Sequence, residues 1–203
     1  MKVAVIGATG NAGSRIAAEL LRRKHEVTGI ARHPEKLNPQ PGLTMKKGDL
    51  TNVAEMASLL AGHDAAIHSV RFLGTDLQKV VSAVKQAGVK RLLVVGGAGS
   101  LEVAPGVALI DTPGFPDMAK GEAGAGRQFL NALRKESELN WTFLSPSASF
   151  APGERTGKFR LGKDQLLTGA DGQSRISMED FAIALADEVE TPQHSRVRFT
   201  VGY

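Results

Sequence analysis

The chain opens with an apolar run that leads directly into three glycines at equal spacing. Val3-Ala4-Val5-Ile6 is followed by Gly7, Gly10 and Gly13. A short apolar run bounded by glycine is typical of a buried strand, and helical spacing of apolar residues begins at Asn11. Gly7 permits a tight turn, and Gly13 lets the helix pack closely against the strand. The pattern therefore predicts a strand, a glycine turn and a helix within the first 23 residues.

The rest of the chain alternates between predicted strands and helices. We predict strands at 2–6, 25–31, 43–47, 64–70, 90–95, 141–144 and 196–201, and helices at 11–23, 76–87, 122–136 and 178–189, with a short helix ending at Leu60. This alternation predicts βαβ units with right-handed crossovers. The expected fold class is α/β: a Rossmann-type doubly wound parallel sheet with helices on both faces. We expect a single domain, 1–203, with a small C-terminal substrate-side region at roughly 148–203.

Composition excludes several classes of function. The chain has no cysteine, so disulfides, thiolate nucleophiles and iron–sulfur clusters are ruled out. Its five histidines have no metal-ligand spacing, and we predict no metal site. The net charge of +4 suits an anionic ligand, but no basic face or tail indicates nucleic acid. No apolar run is long enough to span a membrane. We expect a cytoplasmic protein that begins at Met1 and is a monomer or homodimer.

The glycine turn is a predicted anion site. Backbone amides at the start of the helix point at the anion, and the helix dipole favours negative charge there. Because Gly10 has no side chain, a dinucleotide pyrophosphate can approach the backbone. The alternative is a tight turn without a ligand. The residues expected at the dinucleotide are Gly7, Thr9, Gly10, Asn11, Ala12, Gly13, Arg32, Asp49, Leu50, Ser69, Val70, Gly96, Gly97, Ser145 and Pro146.

Arg32 favours NADP(H) over NAD(H), with NAD as the alternative. The second predicted strand ends without the acidic residue that usually binds the ribose hydroxyls of NAD. Arg32 offers a planar cation to a 2′-phosphate, unless it is only a solvated loop residue. Asp49 is placed either to accept from the adenine amino group or to cap the next helix.

Other expected contacts lie where strands end. In an open parallel sheet, ligands bind outside the carboxyl ends of the strands. Ser69 and Val70 are expected near the adenosine ribose or the pyrophosphate, Gly96 and Gly97 at the nicotinamide, and Ser145 and Pro146 beneath its carboxamide. For Gly96-Gly97 the alternative is a strand-ending turn.

Three further segments carry a family resemblance. They are Val94–Leu101, with its run Gly96-Gly97-Ala98-Gly99, Trp141–Ser147 and Gly153–Lys158. Together with the glycine turn they resemble the NmrA-like, atypical short-chain dehydrogenases that bind NAD(P)H, specifically bacterial NADH–flavin reductases related to biliverdin reductase B. The resemblance implies a Rossmann fold and reduction of a flavin or quinone. FMN or another flavin would then be a substrate, a small-molecule electron acceptor, rather than a tightly bound cofactor.

The chain lacks the Tyr-x-x-x-Lys of carbonyl-reducing short-chain dehydrogenases, in which the tyrosine protonates the product. Its one tyrosine is Tyr203. A flavin or quinone delocalises the incoming charge, so orientation is the main requirement. The catalytic candidates are Gly97, Lys120 and His68, and a core role is the alternative for His68.

Two other functions stay open from the sequence. The first is a reductase or epimerase that uses Lys120 or His68 as proton donor, and the second is a non-enzymatic NADP-binding redox sensor of NmrA type. A basic stretch between Phe150 and Leu166 is either a lip over an anionic substrate or a solvated loop. Its members are Arg155, Lys158, Phe159, Arg160 and Lys163.

Overall fold

The computed structural model describes all 203 residues and contains an eight-stranded central sheet. The strands in chain order are β1 (Lys2–Ile6), β2 (Glu26–Ala31), β3 (Leu43–Lys47), β4 (Ala65–His68), β5 (Arg91–Val95), β6 (Glu102–Ala104), β7 (Val107–Ala108), β8 (Asn140–Pro146), β9 (Ser149–Ala151), β10 (Arg160–Gly162), β11 (Arg175–Ser177) and β12 (Val197–Gly202). The helices are α1 (Asn11–Arg22), α2 (Val53–Leu60), α3 (Leu77–Gln86), α4 (Asp117–Leu133) and α5 (Met178–Glu190). None of these helices combines the length and apolar composition that a membrane crossing requires.

The central sheet has the order β10-β12-β8-β5-β4-β1-β2-β3. Every neighbouring pair is parallel except β10 with β12 at one edge. From β1 the chain first builds outward to β3 and then returns to build β4 and β5 on the other side. This reversal opens a crevice between β1 and β4 at the carboxyl ends of the strands. The predicted fold class, a doubly wound α/β sheet, is confirmed.

Helices cover both faces of the sheet because neighbouring side chains on each buried strand point to opposite faces. Leu93 of β5 faces α1 and α5, whereas Leu92 faces α2, α3 and α4. All five residues of β5 are buried, as expected for a central parallel strand. The C-terminal region contributes α5 and β12 to the main core, so it is continuous with the rest of the fold.

Several predicted boundaries were wrong. Helix α4 begins at Asp117 rather than at 122, and β4 ends at His68, which leaves Ser69 and Val70 in the following loop. Strands β6, β7, β9, β10 and β11 were not predicted, because they are two or three residues long and depend on partners distant in sequence.

His68 lies at the end of β4 inside the core. Its ring packs on Phe129, with centroids 5.2 Å apart, and on Phe72, with centroids 6.0 Å apart. Neither ring nitrogen has a hydrogen-bond partner. Burial penalises the charged imidazolium and lowers the pKa of His68 to about 4. The side chain is therefore neutral in the folded protein at neutral pH.

His68 makes the folded state sensitive to acid. The unfolded histidine takes up a proton near its ordinary pKa of 6.5, whereas the folded one does so only near 4, so stability falls as pH drops through this window. Between about pH 7.5 and about pH 5, this single group removes about 2 kcal/mol from the free energy of unfolding. We predict that the free energy of unfolding of His68→Leu, measured by urea denaturation at the two pH values, lacks this pH-dependent loss.

His33 supplies the matched control, because its side chain is 64% exposed. His33→Gln is expected to keep the pH dependence of the wild type. Equal pH dependence in His68→Leu and the wild type would contradict the assignment of this acid sensitivity to His68.

Candidate functional site

Backbone packing requires glycine at two positions of the β1–α1 junction. Gly7 has φ +88°, and a Cβ there would lie 2.3 Å from the carbonyl oxygen of Ser69. A Cβ on Gly13 would lie 2.2 Å from the carbonyl oxygen of Gly7. A side chain at Gly13 would force the first turn of α1 away from the end of β1, and a side chain at Gly7 would collide with the backbone that follows β4. The junction thus holds α1 at the edge of the crevice between β1 and β4.

Gly10 differs from its two neighbours in the motif. A Cβ there would meet only the carbonyl oxygen of Gly7, at 3.3 Å. Gly10 is the N-cap residue of α1, and no side chain caps this helix. By contrast, side-chain oxygens of Asn52, Asp76 and Ser177 cap α2, α3 and α5. The first turn of α1 also has no acidic residue, so its amides remain available to an external anion.

A cavity of about 540 Å³ adjoins this bare helix start. It lies at the carboxyl ends of β1, β2, β3 and β4 and is formed mainly by the loops that follow these strands. Eight of the predicted site residues line it: Gly7, Thr9, Gly10, Arg32, Asp49, Leu50, Ser69 and Val70. The structure therefore brings together residues that are up to 63 positions apart in the sequence, as the strand-end argument predicted.

Basic side chains outnumber carboxylates in the lining of the cavity: Arg32, Lys36, Arg71 and Lys79 against Asp49 and Asp76. Arg32 follows β2, Lys36 ends the short 3₁₀ helix Pro34–Lys36, and Lys79 lies on α3. Sequence analysis missed both lysines. Lys36 follows Arg32 within the short segment that leaves β2, so its nearness to the strand end was an available signal. The position of Lys79 depends on how α3 packs.

Asp49 is ionised among these cations. Its carboxylate accepts from the amide of Thr51 at 2.8 Å. Hydrogen bonds from Thr51, with the charges of Arg32 and Lys79, hold the pKa of Asp49 below its ordinary value. The alternative that Asp49 caps α2 is wrong, because Asn52 accepts the amide of Glu55 at the start of that helix.

The remaining predicted contacts lie outside the cavity. Asn11, Ala12 and Gly13 form the first turn of α1. Gly96 packs against Phe143, where a Cβ would lie 2.3 Å from Cε1, while Gly97 faces open space. Ser145 and Pro146 are buried in β8, and Thr200 Oγ1 donates to the carbonyl of Ser145 at 2.8 Å. The buried side chain of Ser145 does not fit the expected position beneath a carboxamide.

The positions of His68, Lys120 and Tyr203 do not fit a proton donor at the cavity. His68 is enclosed in the core. Lys120 is about half exposed and is paired with Asp117, with Nζ 2.5 Å from Oδ1. The Tyr203 hydroxyl donates to Asp180 at 2.8 Å. None of these three residues lines the cavity.

Two cations of the predicted basic lip have internal partners. Arg155 makes two hydrogen bonds with Glu19, each 2.9 Å long. Arg160 donates to the carbonyl oxygens of Thr168 and Tyr203. This stretch is therefore held against the body of the protein at both positions.

Comparisons with known proteins agree with this geometry. A family model described as NAD(P)H-binding matches residues 7–192. A solved structure of a candidate epimerase from Bacteroides thetaiotaomicron is 42% identical, with a TM-score of 0.95 over 100% of this chain and 96% of that chain. A candidate exported protein from Burkholderia pseudomallei is 44% identical, with a TM-score of 0.91 over 100% of both chains.

A third solved structure is a candidate NADH-flavin reductase from Streptococcus pneumoniae. It is 37% identical, with a TM-score of 0.87 over 100% of this chain and 99% of that chain. These likenesses confirm the resemblance to the atypical short-chain dehydrogenases. Since the family model covers residues 7–192, the chain belongs to the NAD(P)H-binding family.

Proposed function

We propose that this protein binds NADP(H) in the cavity beside α1 and transfers hydride from the nicotinamide to a flavin or a quinone. The observation that carries the proposal is the bare N-terminus of α1, which opens on a cavity where cations outnumber acids. Likeness to a candidate NADH-flavin reductase supports the choice of acceptor.

The residues that line the cavity, together with the adjoining start of α1, fit the parts of an NADP molecule. The amides of the first turn of α1, left accessible by Gly10, would hold the pyrophosphate. Arg32 and Lys36 would pair with the 2′-phosphate, and the ionised carboxylate of Asp49 would accept from the adenine amino group. When bound, the nicotinamide supplies the hydride, and the chain's own contribution is to orient it.

A flavin or quinone fits the chemistry of the site better than a ketone does. Ketone reduction needs an acid at the developing alkoxide. His68 is enclosed in the core, Lys120 is paired with Asp117, and the hydroxyl of Tyr203 donates to Asp180. Flavins and quinones spread the incoming charge over their rings and can take a proton from water. Orientation of two ring systems is then sufficient.

The cellular setting belongs to the same proposal. We place the protein in the cytoplasm, as a monomer or homodimer with a small-molecule electron acceptor as its partner. The solved relative from Burkholderia pseudomallei carries the name of an exported protein, so cell fractionation is the direct check on location.

We predict that the purified protein oxidises NADPH when FMN, riboflavin or a simple quinone is supplied, with NADPH preferred over NADH. Absorbance at the reduced nicotinamide band measures turnover. Tight NADP(H) binding without turnover on any acceptor would instead support a redox sensor. Turnover only with ketones or sugars would support a reductase or epimerase.

Gly10→Ala should separate ligand binding from folding. The extended backbone of Gly10, with φ −76° and ψ 168°, accepts alanine with a small adjustment, since the Cβ would lie 3.3 Å from the carbonyl oxygen of Gly7. Because Gly10 lines the cavity, the added methyl would obstruct the pyrophosphate proposed to bind there. We predict an NADPH dissociation constant raised by about tenfold or more, equivalent to at least about 1.4 kcal/mol. The melting temperature should stay within about 2 °C of the wild type.

Two further glycine variants make this test specific. Gly114→Ala adds a methyl in open space and should leave affinity and stability unchanged. Gly13→Ala should lower the melting temperature, because its Cβ would overlap the carbonyl of Gly7. If calorimetry shows equal NADPH affinity for Gly10→Ala and the wild type, the pyrophosphate does not lie at this turn.

Arg32→Gln should change the choice between the two dinucleotides. Loss of a charge-assisted hydrogen bond of about 1.5–3 kcal/mol should weaken NADPH binding by about ten- to a hundredfold and leave NADH within about twofold. Lys46→Gln removes the same charge from the edge strand β3, outside the cavity, and should affect neither ligand. An equal loss for both dinucleotides would show that Arg32 does not read the 2′-phosphate.

A further inference from the structure

The loop between β4 and α3 forms one wall of the cavity. Its lining residues are Ser69, Val70, Arg71, Leu73, Gly74, Thr75 and Asp76. A hydrogen bond of 2.9 Å from the amide of Thr75 to the carbonyl of Phe72 closes a turn in this loop. Helix α4 lies behind the loop and contributes no residue to the cavity lining. Glu122 of this helix can therefore affect a ligand only indirectly, through the residues that it holds.

Glu122 of α4 holds the loop by its backbone. Its Oε1 accepts from the amide of Phe72 at 2.7 Å, and its Oε2 accepts from the amide of Leu73 at 3.0 Å. Neither amide has a backbone acceptor. The carboxylate is 29% exposed, and the guanidinium of Arg71 lies 3.5 Å from Oε2. One side chain thus satisfies two consecutive amides of the cavity wall.

A second contact docks the same loop on the same face of α4. Gly126 follows Glu122 by one helical turn, so the two positions share a face. The ring of Phe72 covers Gly126 so closely that a Cβ there would lie 2.9 Å from Cδ2. Phe72 is therefore held through its side chain as well as its amide, and the loop has one defined position on α4.

We propose that Glu122 is a positioning residue of the dinucleotide site, acting through the loop that it holds. This inference rests on the proposed function, since the cavity must bind the dinucleotide. Glutamine at this position keeps the shape of the side chain but has only one acceptor oxygen, and its NH₂ group opposes the second amide. The loop would then be released at Phe72 or Leu73. By linkage, a ligand that binds better when Glu122 holds the loop must also strengthen the hydrogen bonds between Glu122 and the loop.

The test compares Glu122→Gln with Glu138→Gln. Glu138 loses the same charge but is 76% exposed and pairs only with Lys85, away from the cavity. For Glu122→Gln we expect an NADPH dissociation constant and KM about tenfold higher, with kcat at saturating NADPH within about twofold of the wild type. Amide hydrogen exchange at Phe72 and Leu73 should accelerate. Glu138→Gln should match the wild type in all these measurements.

The outcomes separate this inference from the proposed function. Faster exchange at Phe72 and Leu73 with unchanged NADPH affinity would overturn the role of Glu122 and leave the proposed function intact. No NADPH binding by the wild type would overturn both. If Glu122→Gln does not fold, amide hydrogen exchange at Phe72 and Leu73 in the wild type tests the inference. Saturating NADPH must slow both amides, and unchanged exchange would refute the inference.

Discussion

The close approach of α1 to the end of β1 is the contact on which the other features depend. With no side chain at position 13, the helix backbone lies against the carbonyl of Gly7. This places the uncapped amides of α1 at the crevice between β1 and β4. Helix α1 also packs beside α5, where Arg15 pairs with Glu179 and Arg23 with Asp187. The position of the proposed anion site and the packing of α1 therefore both depend on the close approach of Gly13 to Gly7.

The sequence was sufficient to predict those features of the fold and the site whose determining residues lie close together along the chain. The strand, glycine turn and helix at the β1–α1 junction lie within one short segment, and Arg32 directly follows a strand, so both were predictable. Helix α4 was predicted to begin late because glycines at 121, 124 and 126 weaken its helical pattern. The lysine on α3 and Glu122 on α4 gain their roles from helix packing. No spacing in the sequence records which loop a helix will contact.

Polar groups far from the cavity support its framework. Arg198 is buried in β12, and its guanidinium donates to Asp164 and to the hydroxyl and carbonyl of Ser100. It thereby fixes the segment that follows β5. Asp180 accepts from Thr156 and Tyr203, which closes the C-terminal region over α5. The side chains of Arg198 and Asp180 are both buried, and their hydrogen bonds hold segments of the C-terminal half in place.

The two edges of the sheet also have a consequence for self-association. One edge is β10, an antiparallel strand of three residues, and the other is β3, which ends in Lys46 and Lys47. Short length and lysine charge both discourage another strand from adding to an edge. Copies of this protein should therefore resist fibrillar stacking, and any dimer would pair through helices or loops rather than by extending one sheet into the next.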